Sequence, residues 1–324
     1  MSFLMCIQAS HIMKKFTIPH DLLTLYKTAY FTSGFVRHNG TDCAFITSNS
    51  WVILNPIEQS IKRQIETVGT PLKDWDITIN RGILTGCNEA FIIDEDKRQE
   101  LITQDPHSAE IIRPILRGRD IKRYGYNFAG LYLIAAHNGI PEKGIPRVNI
   151  DEYPAIKRHL DQYWDKISSR SDKGDTPYNL RSCAYMEDFS LPKVIYPNMT
   201  KYLPFLFDKA HFITNQKCFI ITGKHLGYLT AFLNSSLFKY CYRDSFPELQ
   251  AGTRELSKIF FDKLAVAEVT DEQDREMTSL VDHIQKLPIG EERKKLEEVV
   301  DNLIFKIHGL TEEETKQIGF IEIV

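Results

Sequence analysis

The sequence predicts an α+β fold, in which mixed sheets of short strands pack against helices and a helical hairpin follows at the C-terminal end. Three observations carry this. Apolar runs of strand length recur at residues 131–136, 193–196, 204–207 and 217–221, each bounded by turn-rich text. Amphipathic stripes at helical spacing interleave with them. Beyond about residue 265 the strand-length runs stop and only capped helical stripes remain. The expected organisation is a lead-in at 1–50, the end of a preceding catalytic region, then a main domain at 51–265 and a helical tail or spacer at 266–324.

Residues 1–50 have no clear period. A helix is marked next: Asn55 is a candidate N-cap, Pro56 suits the first helical position, and Glu58 stands three after the cap. Ile57, Ile61, Ile65 and Val68 form its stripe, and Gly69 closes it. Residues 82–88 are turn-rich, 90–93 are a short strand candidate, and 108–115 look like a brief helix stopped by Pro114. Residues 138–147, with two Pro and two Gly, are loop. Residues 153–168 read as one amphipathic helix on Ile156, Leu160, Tyr163, Trp164 and Ile167. The polar segment 168–185 is a long loop, a type that is often functional. Residues 226–242 read as one largely apolar helix. In the tail, Thr270 with Gln273 makes a capping box ahead of Met277, Leu280, Val281, Ile284 and Leu287. A break at 288–290 precedes the stripe Leu296, Val299, Val300, Leu303, Ile304 and Ile307, closed by Gly309; Thr311 and Glu314 cap a third, short helix.

The totals bound the function. With 43% hydrophobic and 26% charged residues among 324, the composition is that of an ordinary soluble protein, and a cytoplasmic location is expected. No apolar run approaches the ~18 residues of a membrane span, and the apolar patch within residues 1–16 has no basic residue ahead of it, so a secretory signal is not expected. Six scattered cysteines, Cys6, Cys43, Cys87, Cys183, Cys218 and Cys241, without a C-x-x-C pair, suggest free thiols rather than disulfides or structural zinc. The net charge of −3 conceals segregation. Residues 113–224 hold 18 Lys and Arg against 11 Asp and Glu, a balance of +7, whereas residues 264–324 hold 7 against 15, a balance of −8. Local charge speaks to partners where the total speaks to solubility. Chance segregation over solvated surfaces is the alternative.

Catalytic text is missing. There is no G-x-G-x-x-G, no G-x-x-x-x-G-K-[ST], no H-E-x-x-H and no G-x-S-x-G. The histidines have no ligand spacing, and no catalytic or metal residue is assigned. Asp120, between Arg119 and Lys122, is either a metal ligand or a neutraliser of its basic neighbours. The positive signals are basic and aromatic. Arg113, Arg117, Arg119, Lys122 and Arg123 crowd together beside Tyr124 and Tyr126. Lys and Arg suit phosphates, and Arg also suits guanine edges; pairing of these arginines with internal carboxylates is the alternative. Three loops carry side chains suited to base edges: Arg170, Lys173, Asn179, Arg181 and Tyr185; then Asn198, Thr200 and Lys201; then Asn215, Gln216 and Lys217. For each, an ordinary solvated loop is the alternative.

Several blocks are similar to one family. INRGILTGCNEAFIID (79–94) and DPHSAEIIRPILRGRDIKRY (105–124) resemble two signatures of the C-terminal specificity domain that follows Taq-type adenine-N6 DNA methyltransferases and occurs in fused type IIG restriction–modification enzymes. YPAIKRHLDQYWDKISSR (153–170), KGDTPYNLRSCAY (173–185), PKVIYPNM (192–199), YLTAFLNSSLFKY (228–240) and VVDNLIFKIHGLTEEE (299–314) continue in the family's order, so the resemblance spans roughly 50–318. It implies a target-recognition-domain-like fold that binds double-stranded DNA and reads its sequence for a methyltransferase–endonuclease core. That core, fused or separate, would carry S-adenosylmethionine and Mg; this chain would carry no cofactor. The methyltransferase's Asn-Pro-Pro-Tyr-like motif has no counterpart beyond Asn55-Pro56-Ile57, whose context is a helix start. The family's proline-rich stretch after the domain is also missing, since residues 260–268 read FFDKLAVAE. Under this resemblance Lys173, Asn179, Arg181, Asn198 and Lys201 are the expected base readers, and Arg117, Arg119, Lys122, Arg123 and Lys217 the expected phosphate contacts. Three rivals remain open: a nuclease or methyltransferase complete in this chain, which the missing motifs disfavour, a protein-interaction scaffold working through the acidic tail, and a separate DNA specificity subunit.

Overall fold

Helices and strands alternate irregularly along the chain in the computed structural model, which describes residues 55–242 and 245–321. The chain divides into two units, Met1–Pro56 and Ile57–Val324. The first, with the lead-in and Cys6 and Cys43, lies almost wholly outside the described residues.

In chain order the elements are α1 (Pro56–Val68), β1 (Gly69–Pro71), β2 (Ile77–Arg81), α2 (Asn88–Phe91), β3 (Ile92–Asp94), α3 (Glu95–Gln104), β4 (Ile112–Leu116), β5 (Ile121–Lys122), β6 (Gly125–Tyr126) and β7 (Leu131–Ile134). Then come α4 (Pro154–Asp161), α5 (Trp164–Ser169), β8 (Lys193–Pro197), β9 (Met199–Thr200), β10 (Leu206–Asp208), β11 (Ile213–Thr214), β12 (Cys218–Gly223), α6 (Leu226–Leu233) and α7 (Ser236–Tyr242). The chain closes with β13 (Arg254–Glu255), α8 (Lys258–Phe261), β14 (Ala265–Ala267), α9 (Asp271–Lys286), α10 (Glu291–Ile307) and α11 (Glu312–Ile318).

Two four-stranded sheets organise the molecule, in the orders β10-β8-β12-β2 and β11-β4-β7-β3. The first is antiparallel throughout and covered on both faces. Side chains alternate across a strand, so Val194, Tyr196, Phe207 and Ile221 enter one hydrophobic core while Ile195, Leu206 and Ile220 enter another. Burial on both faces explains why β8 and β12 read as unbroken apolar runs. The first core lies under α1, α6, α7, α9, α10 and α11. The second lies between the two sheets and α4 and α5, around Ile115, Leu133, Ile156, Leu160 and Ile167. Each fully buried aliphatic side chain contributes about 1.5–3 kcal/mol.

The tail helices build this core as well. Met277, Val281 and Ile284 of α9, and Val300, Ile304 and Phe305 of α10, join Leu229, Phe232 and Phe261 in the first core. Polar ties add direction: the Gln285 side chain accepts from Phe207 N at 2.9 Å and donates to Phe207 O at 3.0 Å, satisfying the free edge of β10. Both expected capping boxes, Thr270 with Gln273 and Thr311 with Glu314, are present.

Some expectations fail for identifiable reasons. The brief helix at 108–115 is a 3₁₀ turn, Pro106–Glu110, followed by β4. Pro114 is tolerated in that strand because β11 begins pairing only at Ile115, so no second partner needs an N–H there. The strand expected at 90–93 starts later, after the helical turn α2. The helix at 153–168 breaks between α4 and α5, and Trp164 is exposed rather than part of the stripe. The helix at 226–242 also breaks, at Asn234. Its side chain leaves the helical pattern to accept from Phe205 N and donate to Phe205 O. Val299 is exposed although it sits in the apolar text of α10. Helix α3 was not anticipated, because only Leu101 in it is buried and it has no apolar stripe; Asp94, which accepts from Lys97 N, was its one signal.

Candidate nucleic-acid interface

Strand directions gather four loops, two from each four-stranded sheet, along one edge. β11 runs parallel to β4, so the chains after Leu116 and Thr214 leave side by side. β8 and β2 are antiparallel to β12, which sets their C-terminal ends, Pro197 and Arg81, against the N-terminal end of β12 at Cys218 and Phe219. Backbone bonds knit the loops: Asn215 N donates to Leu116 O at 3.1 Å, and Asn198 N to Lys217 O at 2.8 Å. Packing is tight at Gly118 and close enough to require glycine at Gly82. A Cβ on Gly118 would stand 3.2 Å from Lys217 O and 3.3 Å from Pro197 Cβ, and one on Gly82 would stand 2.0 Å from Asn215 O. Gly82 is the glycine of the INRG text, and its role there is this close approach.

The edge presents cations. Arg119, Lys122, Lys201 and Lys217 are exposed. Arg119, Lys201 and Lys217 have no salt bridge among the described residues, and Lys122 Nζ only donates to Arg119 O at 3.2 Å. The band continues past the sheet. Exposed Arg81 donates through Nε to Gln216 O at 2.9 Å, and with Arg181 it flanks Tyr185; burial raises the Tyr185 phenol, while both arginines pull its pKa back. Arg119, Lys122, Lys201 and Lys217 line one wall of a cleft of about 1940 Å³. The cleft is also lined by Leu287 and Ile289 of the turn between α9 and α10, and by Lys286 and Lys294 in the adjoining helices.

Two predicted phosphate contacts have other work. Arg117 grips Asp120 through Nε at 2.9 Å and Nη2 at 2.8 Å, and its backbone N donates to the same carboxylate. Burial works against the Asp120 charge, but these bonds outweigh it and hold the carboxyl below its usual pKa. Asp120 therefore neutralises a neighbour; among the described residues no group of three or more His, Cys, Asp or Glu is placed to hold a metal. Arg123 bonds Glu297 and donates to Asn234 O, and Arg293 bonds Glu297 at 2.9 Å and donates to Arg123 O at 2.5 Å. Arg123 and Arg293 both stand over the buried Tyr124 ring. This knot pins α10 to the β5–β6 turn and commits the Arg123 guanidinium, which lines the cleft, to partners within the protein.

The 172–185 loop divides in the same way. Asn179 is 1% exposed, and its side chain donates to His137 O and Val148 O and accepts from Thr176. It supports the loop and is not free to read a base. Arg170, also buried, lies over the Phe91 ring and donates to the carbonyls of Thr85, Asp172, Pro177 and Asn179. Arg181 and Lys173 are exposed; Arg181 reaches Asp172 only at 3.4 Å, and Lys173 Nζ donates to Ser168 O at 2.6 Å. Neither lines the cleft, nor does Asn198, which is half-buried at the base of its loop. Sequence reasoning missed Arg81, inside a quoted motif, and Tyr202, which is 59% exposed beside Lys201.

All ten predicted contact residues lie within residues 113–266, and that segment matches the family model of the TaqI-like C-terminal specificity domain. The resemblance expected from the sequence holds. The family match is narrower than the quoted blocks: it leaves out the INRG text and the helices after β14. Among solved structures, the chain is similar to the type IIL restriction-modification enzyme MmeI in complex with DNA, with a TM-score of 0.53 and 11% identity over 76% of this chain and 35% of that one. It also matches the type IIG restriction endonuclease BpuSI, with a TM-score of 0.46 and 16% identity over 77% of this chain and 32% of that one. The likeness to MmeI is one of fold. The chain spans about a third of the length of both enzymes. No curated protein matches it.

Proposed function

We propose that this chain binds double-stranded DNA and reads its sequence as the specificity module of a type IIG restriction–modification enzyme. The observation that carries the reading is the convergence of Arg119, Lys122, Lys201 and Lys217 on one edge, exposed and without salt bridges among the described residues, inside a segment that matches a specificity domain. Exposed cations without internal partners are available to displace counterions from phosphates. The module positions DNA so that a methyltransferase–endonuclease core, outside this chain, methylates adenine at N6 and cleaves. S-adenosylmethionine and Mg belong to that core, and the module itself performs no chemistry. It works in the cytoplasm; among the described residues no helix is long and apolar enough to cross a membrane. Phosphate contacts would fix register along the duplex, and base reading would fall to Arg181, Lys173 and Asn198 on loops outside the cleft. Flipping of the target adenine by the core would exploit the held duplex.

The acidic tail does not favour the scaffold reading, because the apolar sides of α9 and α10 are spent in the first core. Duplex binding titrated against salt tests the proposal. The chain should bind with a steep salt slope, and the triple variant R119A/K122A/K217A should flatten it by about 3, near 0.9 per phosphate contact. An unaltered slope in the variant would remove these cations from the interface.

A further inference from the structure

Tyr202 and Met199 are 59% and 46% exposed on either side of Lys201, an unusual position for large apolar side chains in a basic edge. Their loop is tied at both ends. β9 pairs with β13, Leu256 N donates to Asn198 O at 2.7 Å, and Asn198 N donates to Lys217 O. On the far side the Asn234 side chain holds both polar groups of the Phe205 backbone, and Tyr124 N also donates to Phe205 O. Between the ties, Tyr202 N donates to Thr200 Oγ1 at 3.0 Å, and buried Leu203 takes a left-handed conformation with φ 48°. A non-glycine residue in that region is strained, and such strain is retained where surrounding structure over-determines it. Here the turn buries Leu203 and Pro204 and leaves Tyr202 outside. The phenol ring appears in no aromatic contact among the described residues, in contrast to Tyr196 and Phe205 close by.

We infer that Tyr202 is a wedge that stacks on the face of a base exposed in the bound duplex. The inference rests on the DNA-binding reading and adds to it a contact that phosphate attraction does not provide. Lys201, Lys217 and Arg119 bring the duplex to the edge, and the ties fix the backbone that carries the aromatic ring at that surface. Apolar side chains beside phosphate-binding cations insert at base steps in other proteins, and aromatic stacking accepts any base because every base has a π-face. The exposed face could be an orphan base opposite an extruded nucleotide or an opened step in a kinked, fully paired duplex; both present the same chemistry.

The 324-residue chain is tested against two short duplexes of one sequence, fully paired or with a single abasic site leaving one orphan base, and against a third with dyes at both ends that reports bending. Wild type is expected to bind the abasic duplex or to bend the paired one. Tyr202→Ala should lose that gain by about tenfold, and Tyr202→Phe should keep it. The salt slope should be the same in all three proteins, since no cation is removed. A gain confined to the abasic duplex assigns the orphan base, and bending of the paired duplex assigns the kinked step. If Tyr202→Ala keeps the wild-type gain, or wild type binds duplexes with neither preference nor bending, the wedge is overturned while the DNA reading stands. Absence of any duplex binding by wild type defeats the DNA reading itself.

Discussion

Lys193 and Asp208 face each other across β8 and β10, 0% and 1% exposed, with 2.7 Å between Nζ and the carboxylate. Burial lowers the Lys193 pKa, and the Asp208 charge only partly restores it. Lys193 also donates to Phe189 O and Leu191 O, and Asp208 accepts from Ala210 N and Phe212 N, so neither charge has a vacant partner to turn to. Lys193→Met should strand the carboxylate and cost about 3–5 kcal/mol, read as a lower urea midpoint; a midpoint within error of wild type would contradict it. Asn179 and Arg181 should separate in the same assay. Asn179→Ala should cost roughly 1–3 kcal/mol and lower the midpoint, because it takes the side-chain donor from Val148 O, while His137 O keeps its bond from Val148 N. Arg181→Ala should leave the midpoint alone and relax sequence choice in duplex binding; an unchanged preferred sequence would exclude it as a reader. These residue roles were only half legible. Arg117 and Arg123, expected at phosphates, and Asn179, expected at bases, are of the same chemical types as the exposed Arg119 and Arg181 and the half-buried Asn198. What distinguishes them is a partner: three residues away for Arg117, but far along the chain for Arg123, whose Glu297 sits on α10. Spacing cannot reveal the second case.

Among the elements, those with local signals were readable. Caps and stripes defined α1, α9, α10 and α11, and doubly buried runs marked β7, β8 and β12. The failures came where tertiary contacts overruled local text. Pro114 reads as a helix stop but is accommodated in a strand whose second neighbour starts one residue later. Asn234 breaks an apolar helix by satisfying the Phe205 backbone. The convergence of loops after β2, β4, β8 and β11 depends on one parallel and several antiparallel pairings, none of which sequence alone supplies. The helices after β14 show the same dependence. Their stripes were read as one side of a hairpin tail, and their partners prove to be α6, α7 and the first sheet. Truncation after Thr270 should therefore expose Leu229, Phe232 and Phe261 and abolish cooperative unfolding. A truncated chain that still melts cooperatively would show the tail to be separable.

At the scale of the whole molecule, stability should depend on pH through buried histidines. His308 is 0% exposed, stacks on Phe232, donates from Nδ1 to Ile304 O and accepts at Nε2 from Ala267 N, an arrangement that needs the neutral ring. Burial lowers its pKa to about 4 from an ordinary 6.5, and burial lowers those of His137 and His159 as well. The unfolded chain therefore binds more protons between these values. The contribution from His308 is complete above about pH 6.5 and is lost as pH falls towards 4, amounting to about 3 kcal/mol. The urea midpoint should drop between pH 7.5 and 5, and His308→Gln, less stable at pH 7.5, should drop less over that interval. A parallel fall in both proteins would remove His308 as the cause. The −3 total charge is likewise a poor guide to the whole, since the basic edge and the acidic helices lie on different elements of one fold. The central claim, that this edge reads duplex sequence, is tested most directly by selecting binders from a pool of randomised duplexes at moderate salt and sequencing them. The account predicts enrichment of one short motif by wild type, relaxed at defined positions by Arg181→Ala. Retention without an enriched motif, or no retention even at low salt, would contradict it.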